Sequence, residues 1–382
     1  MSDTIRAPKG LAGVIADDTR ISKVNPATNS LIYRGYAVQD LCEHCAFEEV
    51  AYLLTKGSLP TAEQLAEFTA KEKSYRNLSD NLLAVIQLLP KGAHPMDAVR
   101  TAVSVLGMED DRTWDSSPET NDDKFLRMLA AIPSAVAAYY RHVSGQEYIA
   151  PAEDLGFSAN FFHMCFGEVP SEEVVKAFDA SMILYAEHSF NASTFTGRVI
   201  TSTTSDIYSS IVGAIGALKG PLHGGANEQV MHMLKEVGEK AKAKGWLLDA
   251  LASKRKIMGF GHRVYRNGDS RVPTMRSYMH KVADATNNRK WVEISDALEE
   301  TMIAEKGIHP NLDFPAGPAY YMMGFEIEMF TPIFVMSRIT GWSAHVMEQA
   351  SANKLIRPLS EYVGPDQRKV TPIGERVCDV AE

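Results

Sequence analysis

The sequence predicts a mainly α-helical, two-domain protein with a small β-hairpin near its N-terminus. Three observations carry this. The best strand signals fall within the first 35 residues or so. Beyond them, apolar residues recur at helical spacing almost continuously. A length of 382 residues exceeds one minimal core, so a large domain with a smaller companion, or two comparable domains, is expected.

Near the N-terminus, "GVIADDTRISKV" and "SLIYRGY" flank the turn-rich "NPATN", the pattern of a hairpin. "AFEEVAYLLTKG" and "SEEVVKAFDASMILYAEH" place apolar residues at helical spacing, and Pro170-Ser171 supplies a start signal for the second. "LPKGAHP" (89–95) and "TWDSSPETND" (113–122) read as surface connections. In "SSIVGAIGALKGPLHGG" (209–225) the small residues Gly213, Gly216 and Ala217 permit close approach of a neighbouring helix. Neither G-x-x-x-x-G-K-[ST] nor G-x-G-x-x-G is present, and "GFGHRV" (259–264) lacks the last glycine of the second pattern. ATP and NAD therefore fall away as ligands.

A hydrophobic content of 45% with 23% charged residues is that of a globular protein. The net charge of −9 argues against a general nucleic-acid binder, so any anion site must rest on local cations. No apolar run approaches 18 residues; "IVGAIGAL" stops at Lys219. "MSDTIRAPKG" has no apolar signal core, which leaves the cytoplasm as the expected location. Cys42, Cys45, Cys165 and Cys378 are too sparse for a disulfide scaffold. "CEHC" matches C-x-x-C, but no second pair completes a metal site, and "AVQDLCEHCAFEEVAYLL" has helical spacing throughout. Structural thiols and no metal are the expectation.

Of eleven histidines, His44, His94, His142, His163, His280 and His309 sit in polar or mixed contexts and read as surface or capping residues. Three have unusual neighbours. His188 ends an apolar helix in "AEHSFNAST", and His223 and His262 lie in the glycine-flanked loops "GPLHGGANE" and "GFGHRV". Glycines there allow unusual backbone angles and close ligand approach. His223, Glu228 and His232 lie close in sequence, but H-E-x-x-H is absent, as is G-x-S-x-G. Asp313 stands between Leu312 and Phe314 and is bracketed by Pro310 and Pro315. Apolar neighbours can raise such a carboxyl into the range of a general base, the alternative being an ordinary turn aspartate. Arg338 and Arg357 sit among apolar residues and want an anionic partner, either a ligand or an internal carboxylate. "MGFGHRVYRNGDSR" (258–271) adds Arg263, Arg266 and Arg271 around His262. Histidines to polarise carbonyls, one aspartate base and several arginines for a small polycarboxylate suit carbon–carbon bond formation through an enol.

"GPLHGGANE", "MGFGHRVYRNGDSR", "PNLDFPAG", "RITGWSAHVMEQ" and "LIRPLSEYVGP" together resemble, in order and spacing, the successive signatures of the citrate synthase family. The likeness runs from "GLAGV" at residue 10 to about residue 370. The N-terminal stretch is most similar to the compact bacterial and archaeal-type members, and among them to the 2-methylcitrate synthases, with citrate synthases of the tricarboxylic acid cycle as the alternative.

The resemblance implies a citrate synthase-like two-domain helical homodimer. Residues 1–224 and 325–382 would form the large domain and 225–324 a small mobile one, with the site in the cleft. It implies that Asp313 removes the α-proton of an acyl-CoA, His223 hydrogen-bonds the thioester oxygen, and His262 polarises the keto oxygen of oxaloacetate. His188, Arg271 and Arg338 would hold the oxaloacetate carboxylates, Arg357 would reach the partner's site, and Asn191 and Asn227 would support. CoA would lie along Lys256, Ile257, Gly259, Phe260 and Gly261. Lys254, Arg255 and Lys256 would meet its phosphates or form a solvated charge run. Acyl-pocket candidates are Phe314, Tyr320 and Tyr321. The thioester is a substrate, so no cofactor is implied.

Overall fold

The structure is a computed structural model that describes residues 8–11, 13–25, 28–262, 265 and 268–376. Arg263, Arg266 and Cys378 lie outside the described residues. Two compact units are present, one of Met1–Asp18 with Ile356–Glu382 and the other Thr19–Leu355. In the first, the described residues form short 3-10 turns at Lys9–Leu11 and Ile373–Glu375 and are otherwise irregular and mostly exposed. The second holds every named helix and strand of the described residues.

The expected hairpin is present but shorter. β1 (Ser22–Asn25) pairs antiparallel with β2 (Ser30–Tyr33), Ser22 opposite Tyr33, and a third strand, β3 (Tyr36–Ala37), extends the sheet. The first strand begins at Ser22, just after Ile21, the first buried side chain among the described residues; Val14 and Ile15 upstream are exposed.

α1 (Val38–His44) and α2 (Phe47–Lys56) divide the helical spacing around "CEHC" into two helices. Cys45 is extended, the Glu49 carboxylate accepts the Ala46 N–H at 2.7 Å, and the Asp179 carboxylate accepts that of Phe47 at 3.0 Å, so a new helix starts. Cys42 and Cys165 are buried, and burial pushes both thiols up, the behaviour of structural cysteines.

α3 (Ala62–Ser74), α4 (Asp80–Leu88) and α5 (Pro95–Met108) start at the caps Thr61, Ser79 and His94. α6 (Pro118–Val143) begins inside the stretch read as a surface connection. Pro118 suits a first helical position, where no N–H is needed, so the connection ends at Ser117.

α7 (Phe157–Phe166), α8 (Glu172–Tyr185), α9 (Ala192–Ser202) and α10 (Ile207–Leu218) follow. α9 and α10 pack so closely that a Cβ on Gly213 would collide with Ile200, as the small residues predicted. α11 (Ala226–Val237), α12 (Lys240–Ala252), α13 (Val272–Ala285), α14 (Lys290–Lys306) and α15 (Asp313–Met322) come next. α16 (Phe330–Ser351) is buried on all sides from Phe330 to Val346 and packs against α2, α5, α6, α8, α9 and α10. A helix buried all round is a core helix, and α16 is the axis on which the site is built. No helix among the described residues is long and apolar enough to cross a membrane.

Candidate active site

The site forms where α8 ends. The last carbonyls of a helix lack intrahelical partners. Here they accept from two arginines: Leu184 from Arg271 Nη1 at 3.5 Å, and Tyr185 from Arg338 Nε at 2.6 Å. Arg271 caps α13 and Arg338 lies in the middle of α16; both are buried. Arg271 forks onto Asp269, Nε to Oδ1 at 2.9 Å and Nη2 to Oδ2 at 2.7 Å. Burial alone would push the Asp269 carboxyl up, but the charge and hydrogen bonds of Arg271 outweigh it and hold it down to about 2. Arg338 makes no ion pair among the described residues and rests on the Phe334 ring at 4.7 Å. Burial pushes it down to about 10, so it stays charged near neutral pH.

His188 and His262 lie side by side, ring centroids 5.1 Å apart, with the Tyr265 ring against both. Burial and the Arg271 charge hold His188 well below its usual value and bring His262 down to about 4, so both are neutral. His188 Nε2 is buried with no hydrogen-bond partner among the described residues, an orphaned polar atom of the kind that a ligand satisfies. The Tyr265 N–H donates to His262 Nδ1 at 3.3 Å, which places the proton of the neutral ring on Nε2.

Asp313 opens α15 and keeps part of its surface open. The Tyr185 hydroxyl donates to its Oδ1 at 2.7 Å. Burial pushes the carboxyl up to about 6, against the Tyr185 hydrogen bond and the Arg271 charge. Such a group is ionised at neutral pH yet basic enough to take a proton.

His223 projects from the turn before α11 onto the start of α9. The Ser193 N–H donates to its Nε2 at 3.3 Å, and the Ser193 hydroxyl lies 2.8 Å from the same nitrogen. Trp342 Nε1 on α16 donates to that hydroxyl at 3.0 Å, and the hydroxyl shares its one proton between His223 Nε2 and Asn191 Oδ1, 2.7 Å away. Burial, then the Arg338 charge, push His223 down to about 3. Its proton therefore sits on Nδ1, which no hydrogen bond among the described residues uses.

The remaining candidates divide. Asn191 caps α9, accepting from the N–H groups of Ser193 and Thr194, so it supports His223 through Ser193. Asn227 is fully buried, and its Nδ2 has no hydrogen-bond partner among the described residues. Gly259 and Gly261 have φ of +80° and +77°, and a Cβ on Gly259 would come within 2.6 Å of Val230, so glycine is required there. Their stretch is sewn to 309–311: Gly261 N–H to His309 O at 2.9 Å, Asn311 N–H to Gly259 O at 2.8 Å, and Asn311 Nδ2 to Gly261 O at 2.9 Å. Ile257 is buried, Phe260 packs on Phe314 at 4.5 Å, and Lys256 is exposed. Arg255 is committed to Glu236 in a bidentate pair at 2.6 and 2.7 Å. Arg357 is exposed and belongs to the other compact unit. No group of three or more His, Cys, Asp or Glu among the described residues is arranged to hold a metal.

A family model described as "Citrate synthase, C-terminal domain" matches residues 10–359. The chain belongs to the citrate synthase family. It is 58% identical over 360 residues to the 2-methylcitrate synthase of Mycobacterium tuberculosis H37Rv, covering 94% of this chain and 91% of that one. It is 57% identical over 369 residues to the citrate synthase of Mycolicibacterium smegmatis, covering 97% and 98%. Among solved structures it is similar to Thermoplasma acidophilum citrate synthase in a ternary complex with carboxymethyl coenzyme A and oxaloacetate. The TM-score is 0.91 at 33% identity, covering 96% of this chain and 99% of that one. Membership makes the protein an enzyme of this acyl-transferring family, with the family's helical fold.

Sequence reading missed several residues that build the site. Tyr185, Ser193 and Asp269 touch its candidate residues directly, and Trp342 reaches His223 through the Ser193 hydroxyl. Behind His188, the buried Glu187 lies 2.8 Å from His345 Nε2 and accepts from the Ser22 hydroxyl at 2.8 Å. Burial would raise its carboxyl, but His345 and then Arg338 hold it below the usual value. His345 lay inside the quoted "RITGWSAHVMEQ", where helical phase relative to Arg338, seven positions earlier, was the one available signal.

Proposed function

We propose that this chain is a 2-methylcitrate synthase. It condenses propionyl-CoA with oxaloacetate, hydrolyses the resulting thioester to give 2-methylcitrate and CoA, and also accepts acetyl-CoA. The observation that carries the chemistry is Asp313, a partly open carboxylate held near a pKa of about 6. The ionised Asp313 takes a proton from the acyl α-carbon, and the C–H electrons become the double bond of an enol(ate). His223 donates its Nδ1 proton in a hydrogen bond to the thioester oxygen as charge develops there. The α-carbon attacks the keto carbon of oxaloacetate, whose oxygen is polarised and protonated by His262. Arg338, His188 and Arg271 hold the oxaloacetate carboxylates, and water then cleaves the thioester.

The same reading makes the enzyme a cytoplasmic homodimer in which Arg357 reaches the partner's site. Residues 1–224 with 325–382 form its large domain, and 225–324 form a small domain that closes on the substrates and excludes water. CoA lies along Lys256, Ile257, Gly259, Phe260 and Gly261, and Asn227 serves as a supporting residue. The substrates supply all the reacting groups, so no cofactor is needed. The choice of propionyl-CoA draws on the name of the 58% identical relative, and the alternative, citrate synthase, on that of the 57% identical one. The two acyl groups differ by one methylene, which a pocket separates by about 1–3 kcal/mol. Side-by-side kcat/KM values with oxaloacetate fixed decide between them. Preference for acetyl-CoA by more than about tenfold would replace this reading with the citrate synthase one.

A further inference from the structure

Among the described residues, Tyr185 alone is hydrogen-bonded to both Asp313 and Arg338. Its hydroxyl donates to Asp313 Oδ1 at 2.7 Å, and its carbonyl accepts from Arg338 Nε at 2.6 Å. Its ring lies 4.2 Å from that of Phe334, the same ring on which the Arg338 guanidinium rests. The side chain is 1% exposed, so packing fixes its direction. Among the described residues its hydroxyl is the only hydrogen-bond donor to the Asp313 carboxylate. With Oδ1 occupied, Oδ2 is the oxygen left to face a substrate.

We propose that Tyr185 is the positioning residue of the base: its hydroxyl aims the Asp313 carboxylate and governs its proton affinity, while its backbone carbonyl seats Arg338. The inference rests on the reading of Asp313 as the base. A hydrogen bond to the charged form of an acid favours that form, and here it works against the burial that disfavours it. The phenol itself is held well above its usual value, by burial and then by the Asp313 charge, so it remains a donor throughout the working range. One residue thus sets the pH at which the acyl-CoA half of the reaction starts and seats an arginine of the oxaloacetate half.

The test is the pH profile of kcat and of acyl-CoA α-proton exchange in Tyr185→Phe. The acid limb is expected to move up by about one to two pH units, the value of a hydrogen bond to a charged group. Activity lost at neutral pH should return as pH rises, whereas a structural defect would depress every pH alike. The oxaloacetate KM should stay within about twofold, because the carbonyl of residue 185 is retained. Replacing Tyr185 with 3-fluorotyrosine keeps the ring and strengthens the donor, and should move the limb down even if the Phe variant fails to fold. A limb unmoved in a folded variant overturns the proposal. Asp313→Asn separates the two readings: exchange that survives it removes Asp313 as the base. Exchange lost in Asp313→Asn, with the limb unmoved in the Tyr185 variant, removes only the role of Tyr185.

Discussion

The backbone N–H of Ser193 faces Nε2 of His223 across 3.3 Å, and that contact decides which nitrogen of the ring carries the proton. A backbone N–H can only donate, so Nε2 accepts and Nδ1 is the donor. With its pKa pushed down to about 3, the ring is neutral at any working pH. Nitrogen NMR of labelled enzyme should show a neutral, Nδ1-protonated His223 from about pH 5 to 9; an imidazolium signal near pH 6 contradicts it. Ser193→Ala should lower kcat about tenfold and leave oxaloacetate KM nearly unchanged, in line with the value of an oriented oxyanion donor.

Asp313 gives activity an acid limb. Its folded pKa of about 6 lies above the usual carboxylate range, so the base is progressively protonated as pH falls through 6. A kcat/KM profile should fall off below about pH 6. A limb near 4 would mean that the carboxyl is not held in this environment. Asp313→Asn should abolish α-proton exchange and leave oxaloacetate binding within about threefold.

The same shift has a stability consequence of opposite sign. An acid raised in the folded state binds its proton more tightly there than when unfolded. Its contribution is therefore most favourable below about pH 4 and is lost as pH rises through 6. Asp313→Asn removes that ionisation and should stabilise the fold at pH 7 by about 1–3 kcal/mol, read as a higher midpoint in urea. A destabilised variant would show that the carboxylate is worth more to the fold than its desolvation costs.

Arg338 carries a buried charge with no ion-pair partner among the described residues. Arg338→Leu should raise the dissociation constant of oxaloacetate at least tenfold, in keeping with about 2 kcal/mol or more for a charge-assisted pair. Calorimetric titration measures it directly, and an unchanged constant would assign the carboxylates to other groups.

Glu187 and His345 are both fully buried and only 2.8 Å apart. His345→Ala leaves the carboxylate without this partner and should cost about 3–5 kcal/mol of stability. The folded pKa of Glu187 is depressed, so its contribution is present above the usual value near 4.5 and is lost as pH falls below it. The difference between wild type and variant in urea should therefore narrow in acid. A gap that stays constant from neutral pH to about pH 3 would mean the carboxylate is not what the histidine stabilises.

The fold class was legible because most helices carry one apolar stripe, and unusual neighbours alone singled out His188, His223 and His262 as candidates. What stayed hidden depends on distance along the chain. Tyr185 meets Asp313 across 128 positions, and His345 meets Glu187 across 158; no local pattern marks either pair. The arginines make the same point. The sequence raised an internal carboxylate partner as the alternative for Arg338, yet it is Arg271 that has one, two positions away at Asp269. The difference lies in the backbone turn at 269–271, which folds the guanidinium back on its neighbour.

The stitching of 259–261 to 309–311 has a consequence for how this sequence can vary. His262 directly follows one half of that seam and Asp313 lies two residues past the other, so a change in either half should displace both groups in concert. Substitutions at Gly259 and Asn311 should then combine far from additively. The second would add little to the harm of the first, because the seam is already open. A double-mutant cycle would register this coupling as epistasis between two sites 52 residues apart. The seam is thus a single inherited unit in which drift at one end is constrained by the other.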